Sequence, residues 1–138
     1  MINSGESKIY DPYSVYLNQV ANDRFQYRKF HDELKALSEN FQDFIFDTMP
    51  GDLIKDRISV PLGLNEDQSK ETAKIILEII LSDTYLGNIV DEIKTRLSID
   101  GQKAKTIAGL IVLELFAPIL DDLKKMHTEK FAGATKEQ

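Results

Sequence analysis

The sequence predicts an all-α protein, in which a helical bundle built from a duplicated helix-loop-helix unit follows a long N-terminal helix with a heptad pattern. Two observations support this prediction. Apolar residues recur at helical spacing along most of the chain, and residues 54–81 resemble residues 89–116. The chain has 138 residues, which is enough for one domain with a buried core of its own.

The first predicted element is a long amphipathic helix over residues 11–49, which follows a polar, flexible leader of residues 1–10. Asp11 can cap the free backbone N–H groups, and Pro12 suits the first helical position because the donor it lacks has no partner there. Apolar residues then alternate at spacings of three and four, which predicts a helix that packs against other helices along its length. The two rows of this seam are Tyr13, Val20, Tyr27, Leu34 and Phe41, and Tyr16, Phe30, Leu37 and Phe44.

One unbroken helix over this range would be about 55 Å long, against a diameter of roughly 30 Å for the bundle that follows. Several interpretations therefore stay open. The helix breaks near Asn22-Asp23 or near Ser38-Glu39-Asn40 and folds back, or its overhanging aromatic half contacts a second chain. A further possibility is that the C-terminal helix of the same chain covers the seam.

The bundle of residues 51–131 contains the internal repeat. Residues 54–58 (IKDRI) return 35 residues later as residues 89–93 (IVDEI). Because a helix-loop-helix unit cannot bury its apolar face alone, two copies that pack together form a compact core. Further identical pairs at this offset are Leu62 and Leu97, Lys70 and Lys105, Ala73 and Ala108, and Ile76 and Ile111.

Each unit is predicted to contain two helices around a loop. In the first unit, a short helix over residues 52–59 ends at a turn over residues 60–64, which contains proline and glycine. Asn65 and Gln68 then form a capping box for a helix that is apolar almost all round. In the second unit, Asp100 caps the corresponding helix.

The chain after the second unit begins with Pro118, which we expect to kink or restart the helix. Helical spacing returns over residues 119–131, and residues 132–138 form a flexible tail. The apolar runs are shorter than the roughly 20 residues of a membrane span. Glu114 also interrupts the run of the second unit, so we predict no membrane segment.

Composition excludes several classes of function. The chain contains no cysteine, which excludes disulfide frameworks, thiolate metal sites and cysteine nucleophiles and favours a cytoplasmic location. Its first residues carry no secretory signal. The net charge is −6, whereas nucleic-acid binding requires a cationic surface. The local exception is residues 24–31, where Arg24, Arg28 and Lys29 alternate with aromatic residues, so nucleic-acid binding stays a minor alternative.

Four side chains are candidates for chemistry. Glu78 and Glu114 lie inside the apolar runs of the two units, and paired carboxylates can serve acid–base or metal chemistry. Neither His31 nor His127 stands three residues after a glutamate, as helical di-metal sites require. We therefore expect both glutamates to face solvent, and we predict no catalytic residue, no metal site and no cofactor.

The sequence thus predicts a non-catalytic interaction or scaffold protein, which self-associates or docks a protein partner through its aromatic N-terminal helix. Tyrosine and phenylalanine are favoured at such surfaces because they bury a large area at modest entropic cost. The alternative is a helical small-ligand-binding protein or enzyme, with a pocket between the two core helices that uses Glu78, Glu114 or His127. The predicted partner-binding residues are Tyr13, Tyr16, Val20, Tyr27 and Phe30.

Overall fold

The computed structural model describes residues 11–47 and 49–131, and the regular secondary structure of these residues is entirely helical, which confirms the all-α class. The predicted leader (residues 1–10) and tail (residues 132–138) lie outside the described residues. The eight helices of the described part are α1 (Pro12–Val20), α2 (Arg24–Ala36), α3 (Glu39–Ile45), α4 (residues 49–62), α5 (Glu66–Ile80), α6 (Ile89–Leu97), α7 (residues 101–115) and α8 (Leu120–Lys130).

Two helices contain a π-helical stretch, which is Ile54–Ser59 in α4 and Ile111–Leu115 in α7. Short 3₁₀ turns, Leu86–Asn88 and Ala117–Ile119, lead directly into α6 and α8. The second of these turns contains Pro118, so the chain restarts there as predicted.

Helix α5 is the centre of the bundle. Residues 75–77, 79 and 80 of α5 are fully buried, and the helix contacts α1, α4 and α6. A helix that is apolar on nearly all sides must be covered on nearly all sides, and α1, α4 and α6 provide much of this cover.

The chain does not form the single helix predicted over residues 11–49, because it breaks twice and folds back. The first break lies at residues 21–23, where Asp23 has an extended backbone and its carboxylate accepts the Gln26 N–H at 3.1 Å. An aspartate in this position satisfies a free donor of the next helix, whereas inside a continuous helix it competes with the backbone hydrogen bonds. Helix α2 therefore starts anew at Arg24.

The second break lies at Leu37 and Ser38, both of which are extended. The side-chain amide of Gln42, in α3, donates to the carbonyl oxygens of Leu34 and Leu37 at 3.1 and 2.9 Å. Carbonyl groups at the end of a helix have no donor within that helix, so these two bonds stabilise the reversal between α2 and α3.

Folding back brings both halves of the aromatic seam into one core. Val20, Phe30, Phe41 and Phe44 are each at most 6% exposed and belong to the same cluster as the apolar residues of α5. Helix α1 packs on α5, so the central helix of the bundle covers this part of the seam. The sequence had left open that the C-terminal helix would cover it.

The loop between α4 and α5 and the loop between α6 and α7 have similar geometry. Gly63 and Ser98 both have positive φ, of 67° and 56°. Two residues after each of them, Asn65 and Asp100 cap α5 and α7 through their side chains. The predicted capping box of Asn65 with Gln68 is confirmed, with hydrogen bonds of 2.8 and 3.0 Å.

Candidate interaction surface

The structure separates the five residues that were predicted to bind a partner. Val20 and Phe30 are 6% and 1% exposed, so they belong to the core and not to an exposed stripe. Tyr13 and Tyr16 are half-buried, and their rings pack on Phe30 with centroid distances of 5.8 and 4.7 Å. Tyr27 is the one exposed residue of this set, at 42%. The expectation of a continuous exposed stripe is therefore wrong, because the fold uses most of the stripe internally.

Helix α2 nevertheless keeps an outward face that is aromatic and basic. It packs chiefly on α1, and the residues that it buries are Phe30 and Leu34. Phe25 stands outside the heptad rows and is 73% exposed, and Tyr27 accompanies it on the surface. Aromatic residues and arginine are both enriched at protein–protein interfaces, so their combination makes this side of α2 a candidate interaction surface.

A groove of about 660 Å³ runs along this helix. Arg24, Arg28 and Lys35 line it, and their side chains make no hydrogen bond or ion pair with any residue that the structure describes. Asp32 is the one carboxylate among the described lining residues, so the groove is cationic although the whole chain carries a charge of −6. We call the groove and the adjacent Phe25 the α2 face, and it consists of Arg24, Phe25, Tyr27, Arg28, His31, Asp32 and Lys35.

A second concave surface, of about 430 Å³, lies between the start of α1 and the connection from α3 to α4. Its described lining contains three carboxylates and no basic side chain. Phe46 is 58% exposed there, and its ring packs edge-on against Tyr13 at a centroid distance of 4.9 Å. We call this surface the acidic cleft, and its described lining residues are Asp11, Tyr13, Ser14, Ile45, Phe46, Asp47 and Asp52.

Glu78 lies in an ion-pair cluster between α5 and α6, where its side chain is only 18% exposed. The expectation that Glu78 faces solvent is therefore wrong. Its carboxylate accepts hydrogen bonds from Arg96 at 2.7 and 3.0 Å and from the Thr84 hydroxyl at 2.8 Å. Arg96 also donates to Glu71 at 2.7 Å. The cluster therefore joins α5 to α6 through charge-assisted hydrogen bonds.

The protonation states of this cluster follow from its geometry. Burial acts to raise the pKa of Glu78, but the hydrogen bonds from Arg96 and Thr84 outweigh it and hold the pKa below its usual value. The hydrogen bond to Glu78 is the main cause that raises the pKa of the Arg96 guanidinium. A carboxylate held ionised by a permanent partner is a poor general base, so the cluster supports a structural role for Glu78.

Glu114 lies on the surface of α7, where it forms an ion pair with Arg57 of α4 at 2.9 Å. Its side chain is 38% exposed, in agreement with the expectation that it faces solvent. Among residues 11–47 and 49–131, no group of three or more histidine or acidic side chains is arranged to hold a metal ion.

His127 is 2% exposed and connects α8 to the end of α5 and to the segment between α5 and α6. Its Nε2–H donates to the carbonyl oxygen of Ile79 at 2.6 Å, and its Nδ1 accepts the Leu86 N–H at 2.9 Å. This pair of bonds requires the neutral imidazole, because a second proton on Nδ1 would face the Leu86 N–H. Burial lowers the pKa of His127, which also favours the neutral form.

The two most exposed aromatic residues near these surfaces, Phe25 and Phe46, are not among the five predicted partner-binding residues. Both fall outside the two heptad rows, and this position in the sequence could have indicated that their rings are exposed. On an amphipathic helix, an aromatic residue outside the buried rows has to face solvent or a partner.

Of the helices in the described part of the chain, none combines the length and the apolar character that a membrane crossing requires. Comparison of the chain with known protein families, with curated proteins and with solved structures finds no match in any of the three.

Proposed function

We propose that this chain is a non-catalytic interaction protein that docks a protein partner through the α2 face. One observation supports the proposal most directly. The α2 face combines the exposed rings of Phe25 and Tyr27 with three cationic side chains that have no partner among residues 11–47 and 49–131, on a chain that is acidic overall.

The chemistry of this face suits protein recognition. Tyrosine and arginine are enriched among the residues that dominate binding energy at interfaces, and a ring that is already exposed gains free energy when a partner covers it. Arg24 and Arg28 add long-range attraction to an acidic partner, which raises the rate of encounter more than it raises the affinity.

We also infer that helices α4 to α7 are two copies of one helix-loop-helix unit and act as a rigid support for α1 and α2. The matched left-handed residues Gly63 and Ser98 and the matched caps Asn65 and Asp100 support this inference, since each pair is separated by the 35-residue offset of the sequence repeat. Binding residues on a well-packed support lose less conformational entropy when a partner docks.

The enzyme or small-ligand alternative receives less support. It relied on Glu78, Glu114 and His127, and each of these side chains is engaged by a different intramolecular partner. We retain the cytoplasmic location as part of the proposal, on the basis of the cysteine-free composition.

Capture from a lysate of the native organism tests the proposal. Immobilised full-length protein is compared with the double variant Phe25→Glu/Tyr27→Glu, in nuclease-treated lysate, and captured proteins are identified by mass spectrometry. Leu113→Glu serves as the matched control, because Leu113 is also 73% exposed but lies on α7.

We expect the α2 variant to lose a specific protein that both the wild type and the Leu113 variant retain, while circular dichroism shows unchanged helical content for all three. Equal capture by the α2 variant would contradict the proposal. Capture that is seen only when the nuclease is omitted would instead support the nucleic-acid alternative through Arg24, Arg28 and Lys29.

A further inference from the structure

We propose that the partner of the α2 face is a second copy of this chain, which presents its acidic cleft. This inference rests on the proposed function and deepens it, because it names the partner. The two surfaces belong to different elements, α2 on one side and α1, α3 and α4 on the other, so one copy can use both at once.

The charges of the two surfaces are complementary. Arg24, Arg28 and Lys35 outnumber the single carboxylate in the described lining of the groove, whereas the described lining of the cleft contains three carboxylates and no cation. Opposed patches of this kind steer two molecules into one orientation and disfavour the reversed one, in which like charges would meet. A chain with a net charge of −6 otherwise repels its own copies, so a local cationic patch decides where they meet.

The carboxylates of the cleft differ in how far they are engaged. Asp11 accepts the Ser14 N–H at 2.9 Å and Asp47 accepts the Met49 N–H at 3.2 Å, and both retain oxygen atoms that can accept further hydrogen bonds. The side chain of Asp52 makes no hydrogen bond or ion pair with the residues described. An arginine can therefore bind here in a bidentate manner without breaking an existing bond.

Each surface also offers aromatic area next to its charges. Phe25 and Tyr27 accompany the arginines of the α2 face, and Phe46 lies in the cleft against Tyr13. An arginine that enters the cleft lies beside aromatic rings as well as carboxylates, and an arginine over the face of a ring gains cation–π attraction in addition to the ion pair. The exposed rings of both copies are covered in the same contact.

A contact between two different surfaces of identical chains is heterologous. A dimer formed in this way still has one free cleft, on the copy that contributed its α2 face, and one free α2 face, on the other copy. Association therefore continues beyond the dimer until a ring closes or a chain of subunits grows. Nucleic acid cannot use both surfaces, because the carboxylates of the cleft repel phosphate. A second copy can use both, because every copy carries the cationic α2 face and the acidic cleft.

The experiment uses charge reversal and mixing of the full-length chain. The face variant is Arg24→Glu/Arg28→Glu, and the cleft variant is Asp47→Lys/Asp52→Lys. All four side chains are exposed, so both variants should fold. Asp52→Lys alone is a second cleft variant, because Asp52 makes no hydrogen bond with the part of the chain that the structure describes. The control is Lys124→Glu/Lys125→Glu, which reverses two exposed charges on α8.

Sedimentation velocity at increasing protein concentration measures association. We expect the wild type and the control to associate, and each variant alone to associate at least about tenfold more weakly. An equimolar mixture of the two variants should associate again, because both contacts are complementary in it. The unchanged face of the cleft variant matches the unchanged cleft of the face variant, and the two reversed surfaces match each other. Added salt should weaken the wild-type assembly.

A monomeric wild type over the whole concentration range would overturn the inference, as would a mixture that fails to associate although both variants are folded. Either result leaves the proposed function standing if the lysate experiment still identifies a different protein that depends on Phe25 and Tyr27. Loss of that dependence contradicts the proposed function itself, so the two failures are distinguishable.

Discussion

Gly63 and Ser98 occupy the same left-handed backbone region, and each ends a helix by the same hydrogen bond. The N–H of the following residue, Leu64 or Ile99, donates to the carbonyl oxygen five residues back, at 2.9 Å to Ser59 and at 3.2 Å to Lys94. This is the arrangement in which glycine is strongly favoured, because a Cβ atom is strained at positive φ.

The substitution Ser98→Gly should therefore stabilise the protein. We expect the free energy of unfolding to rise by about 0.5–1 kcal/mol, since glycine removes the left-handed penalty and the Ser98 side chain is exposed. Urea unfolding followed by circular dichroism measures the change.

Two glycine variants are the controls for this prediction. Gly63→Ala should destabilise by about 1 kcal/mol through backbone strain alone, because a Cβ atom there meets no other atom within 4 Å. Gly109→Ala should stabilise by about 0.5–1 kcal/mol, because it lies inside α7 and its Cβ atom also meets nothing within 4 Å. Stability changes of the same sign for Gly63→Ala and Gly109→Ala would refute the backbone explanation.

The ion-pair cluster predicts a large effect at Arg96. Replacement by Met leaves the partly buried Glu78 and Glu71 without their main partner, and we expect a loss of about 1–3 kcal/mol in unfolding free energy. Glu114→Gln, which removes the more exposed pair with Arg57, should cost less than about 1 kcal/mol. Thermal and urea unfolding of both variants checks the contrast.

Glu78 also predicts a pH dependence. Its pKa in the folded state is lowered, so the unfolded state binds the proton more readily, and stability falls as the pH drops below the ordinary glutamate value of 4.5. The variant Glu78→Gln should be less stable than the wild type at pH 7, and the difference should shrink as the pH falls below that value. A difference that stays constant with pH would exclude Glu78 as its source.

His127 predicts a second pH dependence with a different midpoint. Burial lowers the pKa of His127 in the folded state below its ordinary value of 6.5, so the unfolded state binds the proton first as the pH falls. The wild type should lose stability below pH 6.5, until the pH reaches the folded-state pKa. The variant His127→Gln should be less stable at pH 7.5 by about 1–3 kcal/mol, because the bonds to Ile79 and Leu86 are lost or weakened, and it should lack this part of the pH dependence. Urea unfolding between pH 5 and 7.5 measures both effects.

The buried and exposed aromatic residues of α2 should respond differently to truncation. Phe30 is 1% exposed, so Phe30→Ala should cost about 3–5 kcal/mol in unfolding free energy. Tyr27 is 42% exposed, and Tyr27→Ala should cost much less, about 1 kcal/mol or below. Similar losses for the two variants would mean that Tyr27 belongs to the core.

The helical class and the caps of α5 and α7 could be read from the sequence, because these depend on residues that are close along the chain. The turn predicted over residues 60–64 is shorter than expected, because α4 continues through Leu62 and ends at Gly63. Asn65 with Gln68, Asp100, and the restart at Pro118 were all read from local patterns and occur in the structure. Asp23 and Ser38 were among the sites where a break was allowed, and the chain breaks at or next to both of them.

The tertiary structure alone decided which aromatic residues face a partner and which form the core. A heptad pattern marks the side of a helix that is apolar, but Val20 and Phe30 are buried because the chain folds back onto α5 and α1. The same long-range packing engages Glu78 with Arg96, 18 residues away, and places Phe46 beside Tyr13, so two surfaces of opposite charge form on one chain. Local spacing cannot specify such contacts, because they depend on where distant segments meet in space.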